Sequence, residues 1–212
     1  MKRAIFFDLD GTLWDALEPI KDSWNNTMEK HEFKYRFSLK TITSMMGLTP
    51  DETLPIAFPG LKQEEARKLF LLCLKDQLVY LKSHPGKLYP DEIDVLNRLV
   101  TEYPLYIVSN ADKGYIEDYL EAYKLQHLFK GHLCAGDTGK DKGTNIRVMM
   151  EKAGVDEVIY VGDTQKDFDA ALKARVKFIH ANYGFGKIDR KVTELNNLKE
   201  LPSYIEKLFK EE

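Results

Sequence analysis

Short apolar runs that stop abruptly at polar residues recur along this chain, and they constrain its fold more than any other feature. Ala4-Ile5-Phe6-Phe7 ends in Asp8-Leu9-Asp10-Gly11-Thr12, and Leu105-Tyr106-Ile107-Val108 ends in Ser109-Asn110. Val158-Ile159-Tyr160-Val161 ends in Gly162-Asp163, and Val176 to Ile179 ends in His180. A fainter run surrounds Leu133, ahead of Ala135-Gly136-Asp137. Continuous apolar runs of this length suit strands buried on both faces. Between them, apolar residues recur at helical spacing: Ile93, Leu96 and Leu99-Val100; Tyr115, Tyr119 and Ala122-Tyr123; Ile146, Met149-Met150 and Ala153. Strands alternating with helices predict an α/β protein with a Rossmann-like parallel sheet covered on both sides. In such a sheet, polar residues just past the strand C-termini converge on one rim, where ligands bind.

The stretch from Asp15 to Ser83 breaks the alternation. Leu17, Ile20, Trp24 and Met28 form one apolar helical stripe, and Ala66, Phe70, Cys73-Leu74, Leu78 and Leu81 form another. Pro55, Pro59 and Gly60 divide the middle into turns. With no strand run of its own, this block reads as an inserted all-helical cap over residues 15–83. The α/β core then comprises 1–14 and 84–212, with chain contact resuming near His84-Pro85-Gly86.

Composition narrows the class. In 212 residues, 43% are hydrophobic and 31% charged, as expected of a folded globular chain. The longest run of large apolar residues, Leu69 to Leu74, is too short to span a bilayer. Met1-Lys2-Arg3 leads within a few residues to Asp8, so no secretory signal is read and a cytoplasmic location is expected. A net charge of −3 argues against nonspecific nucleic-acid binding. Cys73 and Cys134 lie far apart and form neither a zinc pattern nor a disulfide framework.

Chemistry concentrates at the strand ends. Asp8 and Asp10 occupy alternate positions and project the same way, which favours a cation beside them. Gly11 permits a sharp turn. A bare Asp-x-Asp is more often a solvated acidic turn; the five-residue string behind a buried strand is more specific. Asp163, behind another buried strand, is placed to complete a hard-cation site with Asp8, although an Asp at this point also reads as a helix cap. Asp167 follows one helical turn later. Ser109 and Asn110 offer a hydroxyl and turn amides for phosphoryl oxygens. Lys140 and Lys142 precede the Ile146–Ala153 helix, and Lys142 is preferred because Gly143-Thr144-Asn145 supplies a helix start directly behind it. Gly139-Lys140 is no P-loop, since Asp141 stands where Ser or Thr is required.

Taken together, these segments resemble the four motifs of the haloacid dehalogenase superfamily of phosphohydrolases. Asp8-Leu9-Asp10-Gly11-Thr12 is similar to the first motif, Ser109 to the second, a lysine before a helix to the third, and Gly162-Asp163-Thr164-Gln165-Lys166-Asp167 to the fourth. The likeness covers nearly the whole chain. The helical insertion looks like a type-1 cap, and the subgroup is similar to the phosphoglycolate phosphatases.

The resemblance implies that Asp8 is the nucleophile that accepts the phosphoryl group, and that Asp10 is the general acid and then the base. It implies Mg²⁺ held by Asp8, the Asp10 main-chain carbonyl and Asp163. Ser109, Asn110 and Lys142 would bind the phosphoryl group, with Thr12 and Asp167 supporting from behind. The substrate would be a small phosphorylated metabolite, with phosphoglycolate the first candidate. Met45-Met46-Gly47-Leu48 is a candidate for touching the leaving group, while Trp14 and Trp24 read as packing or hinge residues. Tyr183 to Gly186 reads as a turn, and the five histidines as surface or packing residues. A phosphomutase would use the same motifs and return phosphate to a sugar. A non-catalytic regulator on the same scaffold would be expected to lack a nucleophile or ligand, and here all are present.

Overall fold

A computed structural model of the chain describes residues 1–210. Its strands are β1 (Arg3–Phe7), β2 (Trp14–Asp15), β3 (Lys87–Leu88), β4 (Leu105–Ser109), β5 (Phe129–Cys134), β6 (Glu157–Gly162), β7 (Lys177–Ala181) and β8 (Thr193–Leu195). The helices are α1 (Leu17–Lys30), α2 (Leu39–Thr43), α3 (Pro50–Ala57), α4 (Gln63–Leu81), α5 (Glu92–Leu99), α6 (Tyr115–Tyr123), α7 (Ala135–Thr138), α8 (Lys142–Ala153), α9 (Gln165–Ala174) and α10 (Leu201–Lys210).

Six strands form one sheet in the order β5-β4-β1-β6-β7-β8. Every pairing in it is parallel. The five runs that stop at polar residues, around Phe6, Ile107, Leu133, Ile159 and Phe178, are strands, and β8 joins as an edge strand too short to show a period. β1 is central because both its faces are apolar. Ala4 and Phe6 pack with Ile146 and Met149 of α8 and Ala170, Ala171 and Ala174 of α9. Ile5 and Phe7 point the other way, into a core shared with α5, α6 and α10. Burying each such side chain contributes roughly 1.5–3 kcal/mol before entropy is counted.

That second core continues into the inserted helices, α1 to α4. Trp24 is its aromatic centre, with ring centroids 5.1 Å from Phe37, 5.8 Å from Phe70 and 6.5 Å from Phe58. The two chain connections between sheet and insertion are tied together as a small antiparallel ribbon, Trp14 opposite Leu88 and Asp15 opposite Lys87. The reading of 15–83 as free of strand therefore misses Asp15, because two paired residues leave no periodic signal. Gly86 lies so close to Ala16 that an added Cβ would meet the Ala16 Cα at 2.9 Å. Among the described residues, no helix is long and apolar enough to cross a membrane. Cys73 and Cys134 are buried and free.

Candidate active site

The register of the three middle strands assembles the site. Phe7 is opposite Ile107 in β4 and Val161 in β6. Parallel pairing therefore brings Asp8, Ser109 and Asp163, each just past or at the end of its strand, onto one rim. β1 has β4 on one side and β6 on the other, so the crossovers diverge at this point and leave a crevice.

Lys142 is the first residue of α8, which begins one position earlier than the stretch Gly143-Thr144-Asn145 suggests, because Asp141 caps it by accepting from the Thr144 amide. The lysine is 3% exposed. Its Nζ lies 2.9 Å from Asp8 Oδ1 and 2.6 Å from Asp167 Oδ1. Lys140, two residues earlier, is exposed. Burial alone would lower the lysine pKa, but Asp167 and Asp8 more than reverse this and hold it charged. Asp167 has no spare capacity. Besides Lys142, its other oxygen accepts from the Thr164 amide at 2.9 Å and the Thr164 hydroxyl at 2.6 Å. This is the reciprocal capping box of α9. Thr164, and not Asp163, therefore caps α9.

Asp163 is left free of that duty and faces the crevice. The Phe185 amide donates to its Oδ2 at 2.7 Å. Its Oδ1 is buried and has no hydrogen-bond partner among the described residues. The Asp163 main-chain oxygen is 3.0 Å from His180 Nε2. Carboxylate oxygens of Asp8, Asp163 and Asp167 lie within 4.8 Å of one another. Three buried carboxylates thus face one ammonium. Burial, then the Asp167 charge, raises Asp8 to about 6 despite Lys142. Burial, with Asp167 and Asp8 adding to it, raises Asp163 as well. An all-oxygen donor set with an unpartnered buried oxygen and excess negative charge fits a hard divalent cation.

Asp10 stands apart from this cluster. Trp14 Nε1 donates to its Oδ1 at 3.0 Å and the Tyr115 hydroxyl donates to the same oxygen at 2.7 Å. Burial raises its pKa to about 7, although both donors pull it down. A carboxyl held near neutrality is suited to giving and taking a proton. Ser109 is buried and lines the crevice with Asp8, Asp10 and Asn110. Asn110 Nδ2 donates to the Gly47 carbonyl of the helical insertion at 3.0 Å. Thr12 is fully buried; Tyr183 donates to its main-chain oxygen at 2.8 Å, and its own hydroxyl has no partner among the described residues.

Several contributors escape a reading of the sequence. Trp14 and Tyr115 look like packing residues yet fix Asp10. Tyr160, inside an apolar strand, donates to the Val108 carbonyl at 2.7 Å and reaches Asp167 Oδ1 at 3.4 Å. His180 is buried against the Asp163 backbone. The Tyr183–Gly186 segment is more than a turn, since its Phe185 amide clamps Asp163. Gly11 adopts φ +75°, and a Cβ there would run into the Asp163 carboxylate. Gly11→Ala is expected to destabilise the fold by about 1–3 kcal/mol and to displace Asp163. Thermal unfolding checks this; an unchanged Tm would mean that the carboxylate has room to give.

A family model described as haloacid dehalogenase-like hydrolase matches residues 5–181. A phosphoglycolate phosphatase of Colwellia psychrerythraea is 26% identical over 197 residues, covering 87% of this chain and 86% of that one. A phosphoglycolate phosphatase of Aquifex aeolicus is 25% identical over 198 residues, covering 91% and 90%. A solved structure of a haloacid dehalogenase-like hydrolase from Streptococcus pneumoniae superimposes with a TM-score of 0.82 at 23% identity, covering 96% of this chain and 98% of that one.

Proposed function

The chain belongs to the haloacid dehalogenase-like hydrolases, and from that membership we propose that it is a Mg²⁺-dependent phosphoric monoester hydrolase acting through a phosphoryl group carried on Asp8. The single observation that carries this reading is the Lys142 ammonium bridging Asp8 and Asp167 beside the unpartnered oxygen of Asp163. The relatives named phosphoglycolate phosphatase make small phosphorylated metabolites the substrates to assay.

Asp8 and Asp163, with the Asp10 main-chain carbonyl, would hold the cation. When bound, it offsets the charge of the carboxylates and of the transferring phosphoryl oxygens. A carboxylate oxygen of Asp8 attacks phosphorus as the ester oxygen departs, and Asp10 gives that oxygen its proton. Asp10 then takes a proton from a water that attacks the same phosphorus, releasing inorganic phosphate and restoring Asp8. Tyr115 and Trp14 hold one Asp10 oxygen still, which leaves the other to shuttle the proton. Ser109, Asn110 and Lys142 bind phosphoryl oxygens, where charge spreads in the transition state. The helices of residues 15–83 act as a cap that excludes water.

Phosphate release from a panel of phosphorylated metabolites tests the reading. Activity should vanish in EDTA and return with Mg²⁺. Asp163→Asn should raise the Mg²⁺ concentration for half-maximal rate by at least about tenfold. Full turnover in chelator would contradict it.

A further inference from the structure

The cavity above Asp8 is walled by the helical insertion, and its chemistry speaks to the leaving group. Ile20, Trp24, Met46, Phe70, Leu74 and Leu78 line it, above the Asp8, Asp10 and Ser109 end of the same crevice. None of the lining residues is Lys, Arg or His, and the charged ones are Asp8, Asp10 and Asp112, all acidic. A carboxylate on the leaving alcohol would exchange water for apolar walls and carboxylates, with no cationic side chain on the lining to offset its desolvation.

On the insertion's side, Gln77 gives the wall an amide. Gln77, 6% exposed, lies 2.7 Å from Trp24 Nε1. An indole N–H only donates, so the amide atom facing it is the carbonyl oxygen. The Gln77 NH₂ is left with no acceptor among the described residues, on the cavity wall.

We propose that the substrate is the phosphate monoester of an uncharged, largely apolar alcohol, with room for one hydrogen-bond acceptor opposite the Gln77 NH₂. This rests on the phosphatase reading and deepens it, and it departs from phosphoglycolate, whose leaving group is anionic.

The test measures kcat/KM of the full chain with Mg²⁺ for benzyl phosphate, phosphoglycolate and phosphocholine. Benzyl phosphate should lead both others by about tenfold or more. Leu74→Lys, at a half-buried wall position, should narrow the gap to phosphoglycolate, chiefly through KM. Phosphoglycolate or phosphocholine turned over as well as benzyl phosphate by wild type, with activity still abolished in Asp8→Asn, would overturn the inference and leave the phosphatase reading standing. Release of phosphate from none of the three, nor from any metabolite of the wider panel, would overturn both.

Discussion

Asp8→Asn is expected to remove turnover, by on the order of 10³-fold or more, while leaving the protein folded. The amide nearly matches the carboxylate in shape but has no charge with which to attack phosphorus. Its effect on stability runs the other way. Burial and the neighbouring Asp167 raise the Asp8 pKa from 3.8 to about 6. A carboxyl with a raised folded pKa costs stability as pH climbs from the unfolded value through the folded one. At neutral pH that cost is fully present, and asparagine removes it. Lys142 keeps Asp167 as a partner at 2.6 Å. The Tm of Asp8→Asn should therefore equal or exceed that of wild type, measured beside phosphate release. A variant that loses activity only because it unfolds would contradict this account.

Lys142→Ala should fail in both respects. It takes away the ammonium that binds phosphoryl oxygens, a loss of roughly 10²–10³ in kcat. It also strands Asp8 and Asp167, which are 2% and 0% exposed, without their counter-charge. Breaking a buried pair in this way costs about 3–5 kcal/mol. In a chain of this size the Tm falls by roughly 10 °C. Because burial raises the Asp8 pKa in the folded state, the deficit should shrink as pH falls and Asp8 protonates. Lys140→Ala, at an exposed position, should stay within about 0.5 kcal/mol and keep its activity. The reverse pattern, with Lys140→Ala inactive and Lys142→Ala unaffected, would overturn the lysine assignment.

The parts of the site that were legible in the sequence are those that strand ends place. Asp8, Ser109 and Asp163 each follow or close a buried apolar run, and parallel pairing of those runs suffices to bring them to one rim. Lys142 was legible only by its position at a helix start, and the structure sets it against Asp8. The rest depends on tertiary placement. Tyr115 lies in an apolar helical stripe and Tyr160 in an apolar strand, and nothing local distinguishes a hydroxyl that meets a carboxylate from one that merely packs. The Phe185 amide has no side-chain signature at all. Taken alone, Asp163 reads first as a cap for α9, and only the Thr164–Asp167 exchange shows that the cap is filled elsewhere. Gln77 sits within the buried stripe of α4, where its polarity signals nothing until Trp24 is seen to occupy its carbonyl.

The central claim, that Asp8 carries the phosphoryl group, is tested most directly by mixing enzyme with a turned-over ester and Mg²⁺, quenching in acid within the first turnover, and mapping the protein by mass spectrometry. The account predicts one phosphoryl group on the peptide containing Asp8, absent from Asp8→Asn. A phosphoryl group on any other residue, or phosphate formed at every quench time with no labelled protein, would contradict it.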